Sequence, residues 1–158
     1  MIEEFEKFLR GTHTSERVRS PELRAAMSVD TGLEMPIAEA LVAGRDVVIT
    51  GSAGGGKTQL VERVVELLLR RPEVPHPALP GENSTSPHIL IVRDLTAIPR
   101  DRRQAILEGQ DGTTARLVAA NEGTLGSVDQ PPFDHVLSTL HEMQEGRLPD
   151  ETRLPVVV

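Results

Sequence analysis

An α/β fold, with a parallel sheet flanked by helices, is what the sequence predicts, and three observations carry the prediction. Residues 46–50 (DVVIT), 89–92 (ILIV) and 116–120 (RLVAA) are short, largely aliphatic runs of the length expected for strands buried on both faces. Segments of helical periodicity alternate with them, the clearest over residues 59–71. A glycine-rich stretch, GSAGGGKT at residues 51–58, joins the first run directly to that helix. Strands that alternate with helices favour parallel pairing, because each crossover returns the chain to the same end of the sheet.

The elements follow in order. Within IEEFEKFL (residues 2–9), Ile2, Phe5, Phe8 and Leu9 fall near one helical face, and Gly11 is a stop. A second helix can start at Pro21, where a first-turn proline is tolerated. Residues 1–33 are therefore read as a helical N-terminal extension and residues 34–158 as the core. A helix over residues 36–43 ends at Gly44, and the strand at 46–50 follows. In the next helix Leu60, Val61, Val64, Val65, Leu67, Leu68 and Leu69 form a broad apolar face, which Pro72 terminates. Residues 72–88, PEVPHPALPGENSTSPH, read as a loop. After the strand at 89–92 come Arg93 and Asp94, a helix over 99–107, a turn-like stretch at 109–114, and the strand at 116–120 ending in Asn121. Another helix is expected over 131–143, and PVVV at 155–158 reads as a strand that has only begun, so the sheet is expected to be incomplete at the C-terminus.

Composition narrows the function classes. The 158 residues suffice for one sizeable core. Cysteine is absent, which excludes disulfides and thiolate metal sites. The charged N-terminus does not resemble a signal peptide, and no apolar run approaches bilayer length, so a soluble, cytoplasmic protein without membrane contact is expected. A net charge of −7 with interspersed signs, and three Phe as the only large aromatic side chains, give no indication of nucleic-acid binding. Of 17 basic residues only Lys7 and Lys57 are lysines, which sets Lys57 apart in a chain that otherwise uses arginine.

GSAGGGKT fulfils G-x-x-x-x-G-K-[ST], with the preceding strand and following helix that this pattern requires. In such a loop Gly51, Ser52, Ala53, Gly54, Gly55 and Gly56 turn the backbone so that successive N–H groups face phosphate oxygens, and the helix presents its positive end. Lys57 reaches the β- and γ-phosphates as a compact charge, and Thr58 offers its hydroxyl to Mg²⁺. The alternative is a glycine-rich strand-to-helix turn with an incidental lysine.

A site of this kind needs a carboxylate at a neighbouring strand end to hold Mg²⁺ or polarise water. Asp94 is the candidate for both roles; the alternative is that it caps the segment after it. Asn121, at another strand end, either hydrogen-bonds the γ-phosphate or positions water, or else starts the turn Asn121-Glu122-Gly123. Glu122 is a further acid within reach of the same place.

These residues together resemble the AAA+ branch of P-loop ATPases over residues 37–125. GSAGGGKT is similar to Walker A, ILIVRD to a Walker B strand, and RLVAANEGTL to the strand carrying the sensor-1 residue. The resemblance implies Mg-ATP binding and hydrolysis that drives remodelling or a partner's action, with a homo-oligomer or a partner subunit completing the site. ATP is expected over GTP, and no N-K-x-D motif occurs. There are departures. The Walker B acid pair is replaced by Asp94-Leu95, or by Arg93-Asp94 one register earlier. The family's further strand and helix after Walker A are replaced by the loop at 72–88, and no lid with a sensor-2 arginine is identifiable. A nucleotide-dependent switch with little hydrolysis and a P-loop kinase are the alternatives.

Overall fold

The apolar runs become a parallel sheet because each is followed by a segment that crosses back over one of its faces. The computed structural model describes residues 31–52, 54–82, 84, 86–108, 112–125, 142, 145, 156 and 157. The chain divides into two units, Met1–Thr31 and Gly32–Val158, and the fold is that of the second. The helices expected over residues 2–9 and from Pro21 lie outside the described residues, as does that over 131–143 apart from Glu142.

Helix α1 (Glu34–Val42) ends as expected: Ala43 is its C-cap, and Gly44 takes a φ of 78°, where a side chain would be strained. Strand β1 (Val47–Ile49) leads through the glycine loop into helix α2 (Lys57–Leu69), which starts at Lys57, two residues before its apolar periodicity does. Residues 72–88 are not loop throughout, because His76–Ala78 form strand β2, parallel to the next strand. The reading as loop rested on prolines, yet β2 is an edge strand, and there the missing N–H of Pro77 can face the open side. Strand β3 (His88–Val92) is buried along its length and ends in a 3₁₀ turn, Leu95–Ala97, before helix α3 (Arg100–Glu108). Strand β4 (Thr113–Ala119) begins inside the stretch read as a turn, and a one-turn helix α4 (Glu122–Leu125) follows it. A two-residue strand β5 (Val156–Val157) lies parallel to β1, where the PVVV reading placed strand.

The strand order is β2-β3-β4-β1-β5, all parallel. Alternation divides the apolar side chains between two clusters. Val47, Ile49, Ile89, Ile91, Ala115, Leu117 and Ala119 pack with Ile37, Ala38 and Leu41 of α1 and Leu60, Val61, Val64 and Leu68 of α2. Val48, Leu90, Val92, Val118 and Ala120 pack on the other face with Leu95, Leu107 and Leu125. The sheet is thus covered on both faces, as the sequence predicts. Between α1 and α2 a near-buried Glu34 carboxylate accepts from Arg63 at 3.0 Å. Among the described residues no helix is long and apolar enough to cross a membrane.

The edge of the sheet remote from the strand C-termini is pinned by polar contacts. Fully buried His88 uses both ring nitrogens, Nδ1 with the Ser86 carbonyl at 3.1 Å and Nε2 with the Thr113 hydroxyl at 3.1 Å. The β3–β4 register slips beside it, leaving Thr114 as an extra residue whose hydroxyl donates to the His88 carbonyl. Asp46 accepts from the Arg116 backbone N–H at 2.8 Å and faces its guanidinium at 3.3 Å, which clips the start of β1 to β4.

Candidate functional site

The strand order brings three C-terminal ends side by side: Gly51 after β1, Asn121 after β4, and Asp94 after β3, with β4 in the middle. At about 4.8 Å per strand, the outer two ends are about 10 Å apart. From β1 the chain leaves to the face covered by α2, and from β4 to the face covered by α4. Adjacent strands whose connections diverge to opposite faces open a crevice at their C-terminal edge, the place where open α/β sheets bind ligands.

The loop that closes this crevice has the backbone its sequence requires. Gly51, Gly54 and Gly56 have φ of 141°, 79° and 79°, each in the region that favours glycine. Gly55 is held by space instead: a Cβ there would lie 3.2 Å from the Ser52 carbonyl oxygen, which its own N–H approaches at 3.3 Å. Gly56 is the N-cap of α2 and offers no side chain to the first turn, which also contains no acid. The N–H groups at that end are therefore left for an anion. Ser52, Gly54, Gly55 and Gly56 are exposed, whereas Lys57 and Thr58 are half-buried; Ala53 lies outside the described residues. The Lys57 ammonium folds back over the loop, donating to the carbonyls of Gly51 at 2.9 Å and Ser52 at 2.7 Å.

Asp94 is exposed, and its Oδ1 accepts the Thr96 N–H at 2.8 Å, so it caps the 3₁₀ turn. A carboxylate has two oxygens and about four acceptor sites, so this bond leaves capacity for a cation or a water. Arg93 beside it is exposed, and Leu95 is buried in the core. Asn121 is half-buried; its carbonyl accepts from Thr124 and Leu125, and its side-chain amide reaches the Thr96 hydroxyl at 3.5 Å. The same hydroxyl lies 3.1 Å from that of Thr124. Thr96 and Thr124, which the sequence reading did not single out, tie the turn after β3 to the turn after β4. Glu122 is exposed at the start of α4. No family model, curated protein or solved structure matches the chain.

The donors available to a metal are the Thr58 hydroxyl and the Asp94 carboxylate, and no group of three or more His, Cys, Asp or Glu gathers among the described residues. Hard oxygen donors such as these are of the kind Mg²⁺ prefers, commonly one or two from the protein with phosphate and water completing its shell.

Proposed function

We propose that the chain is an ATP-binding P-loop core of AAA+ type, with hydrolysis of Mg-ATP coupled to a partner or to neighbouring copies of itself. The observation that carries the reading is the GSAGGGKT loop between β1 and α2, with its left-handed glycines, uncapped helix start and overlying Lys57. A phosphate cradle needs a backbone that can turn its N–H groups to one side, a positive helix end and a cation, and these features support that reading. In this reading the loop amides hold the phosphate chain, and Lys57 exchanges its two carbonyl contacts for phosphate oxygens. Thr58 and Asp94 hold Mg²⁺, which supplies positive charge against the phosphates. Asp94 and Asn121 orient the attacking water from the two neighbouring strand ends, with Glu122 as a further acid nearby. A cytoplasmic location belongs to the same reading.

A second reading, a switch that binds ATP and hydrolyses little, is favoured by one feature. Asp94 already caps Thr96, and the residue after it is the buried Leu95 rather than a second acid. Titration of a fluorescent ATP analogue into the wild-type protein and Lys57→Ala tests what both readings share. Affinity is expected to fall at least tenfold in the variant, since charge-assisted bonds to phosphate are lost, with the fold kept and the melting temperature lowered by a few degrees at most, since the ammonium holds two loop carbonyls but supports no core. Equal affinities would remove the phosphate-loop reading, and turnover of the wild-type protein then separates ATPase from switch.

A further inference from the structure

Thr50, the residue before the glycine loop, carries a hydroxyl whose oxygen is shut off from solvent and has no hydrogen-bond partner among the described residues. Such atoms are rare in folded proteins, and each needs a cause. Packing does not supply one. Thr50 ends the run Val47-Val48-Ile49, and valine would fill its volume with the same branched shape and no polar atom to satisfy.

Its position suggests the cause. The β1–β4 register pairs Ile49 with Ala119, and the Ala120 N–H donates to the Ile49 carbonyl at 3.0 Å, so the ladder continues until Thr50 stands beside Ala120. Alternation puts Thr50 on the face of Val48, whose apolar cluster also contains Ala120. The neighbour across the strands therefore presents only a methyl group. Thr50 is the last residue before the glycine loop, and Ala120 the last before Asn121.

We propose that Thr50 is a specificity residue for the terminal phosphate: when a nucleoside triphosphate occupies the loop, the Thr50 side chain turns to uncover its hydroxyl, which donates to the γ-phosphate, and the small Ala120 beside it leaves room for that turn. This rests on the phosphate-loop reading and adds to it the discrimination of triphosphate from diphosphate.

The test compares Thr50→Val and Thr50→Ser with the wild-type protein, using a non-hydrolysable ATP analogue, ADP, and thermal unfolding without nucleotide. Thr50→Val is expected to hold or raise the melting temperature, weaken the ATP analogue about tenfold, as loss of one charge-assisted hydrogen bond implies, and leave ADP unchanged. Thr50→Ser is expected to retain the wild-type preference. A lowered melting temperature in Thr50→Val would show that the hydroxyl has a structural partner, and would overturn the proposal. Equal loss of both nucleotides, or of neither, would overturn it too while leaving the phosphate loop standing. If the wild-type protein binds neither nucleotide, or Lys57→Ala binds as tightly as wild type, the loop reading fails and this proposal with it.

Discussion

Asp94 can be divided into a cap and a charge by two substitutions that the geometry keeps apart. Its Oδ1 accepts the Thr96 N–H at 2.8 Å, and an asparagine side-chain oxygen can make the same bond. Asparagine and aspartate are nearly equal as caps, whereas alanine loses about 1 kcal/mol. Asp94→Asn is therefore expected to melt within a degree or two of wild type, and Asp94→Ala about 4 °C lower, as a 1 kcal/mol loss implies for a domain of this size. The charge is removed in both. If Asp94 holds Mg²⁺ or polarises water, both variants lose the gain in nucleotide affinity that Mg²⁺ confers, and turnover falls roughly 100-fold or more. Calorimetric titration of an ATP analogue with and without Mg²⁺ and a phosphate-release assay measure the two effects beside the melting curves. Thr96, bonded to Asp94 at its N–H and to Thr124 at its hydroxyl, should stay in place in Asp94→Asn, so a loss there reports charge alone. The reasoning fails if Asp94→Asn matches wild type in Mg²⁺ response and turnover while only Asp94→Ala changes, and then only in stability. Asp94 would then be a cap, and Glu122 the next acid to replace.

Two further substitutions probe the opposite end of the sheet. Gly112→Ala would place a Cβ 2.8 Å from the Ser86 backbone oxygen at a φ of 86°, so chemical denaturation should show a loss of about 3 kcal/mol, from strain together with the shift of a backbone segment. Asp46→Ala leaves the Arg116 backbone N–H and guanidinium short of their acceptor, and about 2 kcal/mol should be lost, with nucleotide affinity per folded molecule unchanged; an affinity loss as large as that of Lys57→Ala would show that the strand ends are not independent.

What was legible in the sequence was whatever is decided by neighbours along the chain. The aliphatic runs at residues 46–50 and 89–92 became strands because nothing else buries such segments on both sides, and the glycine loop took its turn because its own residues demand it. Strand β2 was not legible: three residues containing a proline become strand only because β3 has an open edge beside them, a fact that His76, Pro77 and Ala78 do not carry. Thr113 and Thr114 likewise read as turn until the buried His88 ring and backbone fix them. At the candidate site, spacing alone singles out the loop residues, whereas the contact of Thr96 with Thr124 joins positions 28 residues apart and has no local signature. The capping bond of Asp94 had one, since an acid followed two residues later by an available N–H is a local pattern, and capping was among the alternatives the sequence left open.

The place of β4 between β1 and β3 also bears on how the molecule assembles. Its clip to Asp46 joins residues 70 apart, and until residues 113–119 are available β1 lacks its neighbour on that side. As the chain emerges from a ribosome, Val47, Val48 and Ile49 must wait, unpaired on that flank, while α2, β2 and β3 are made. Closing so long a loop is entropically unfavourable before the contacts reward it, which predicts slow folding relative to helical chains of similar length. The glycine loop, anchored at β1, would then gain its final shape in the same late step that adds β4. An anion present during refolding would act on that step and leave earlier helix formation untouched.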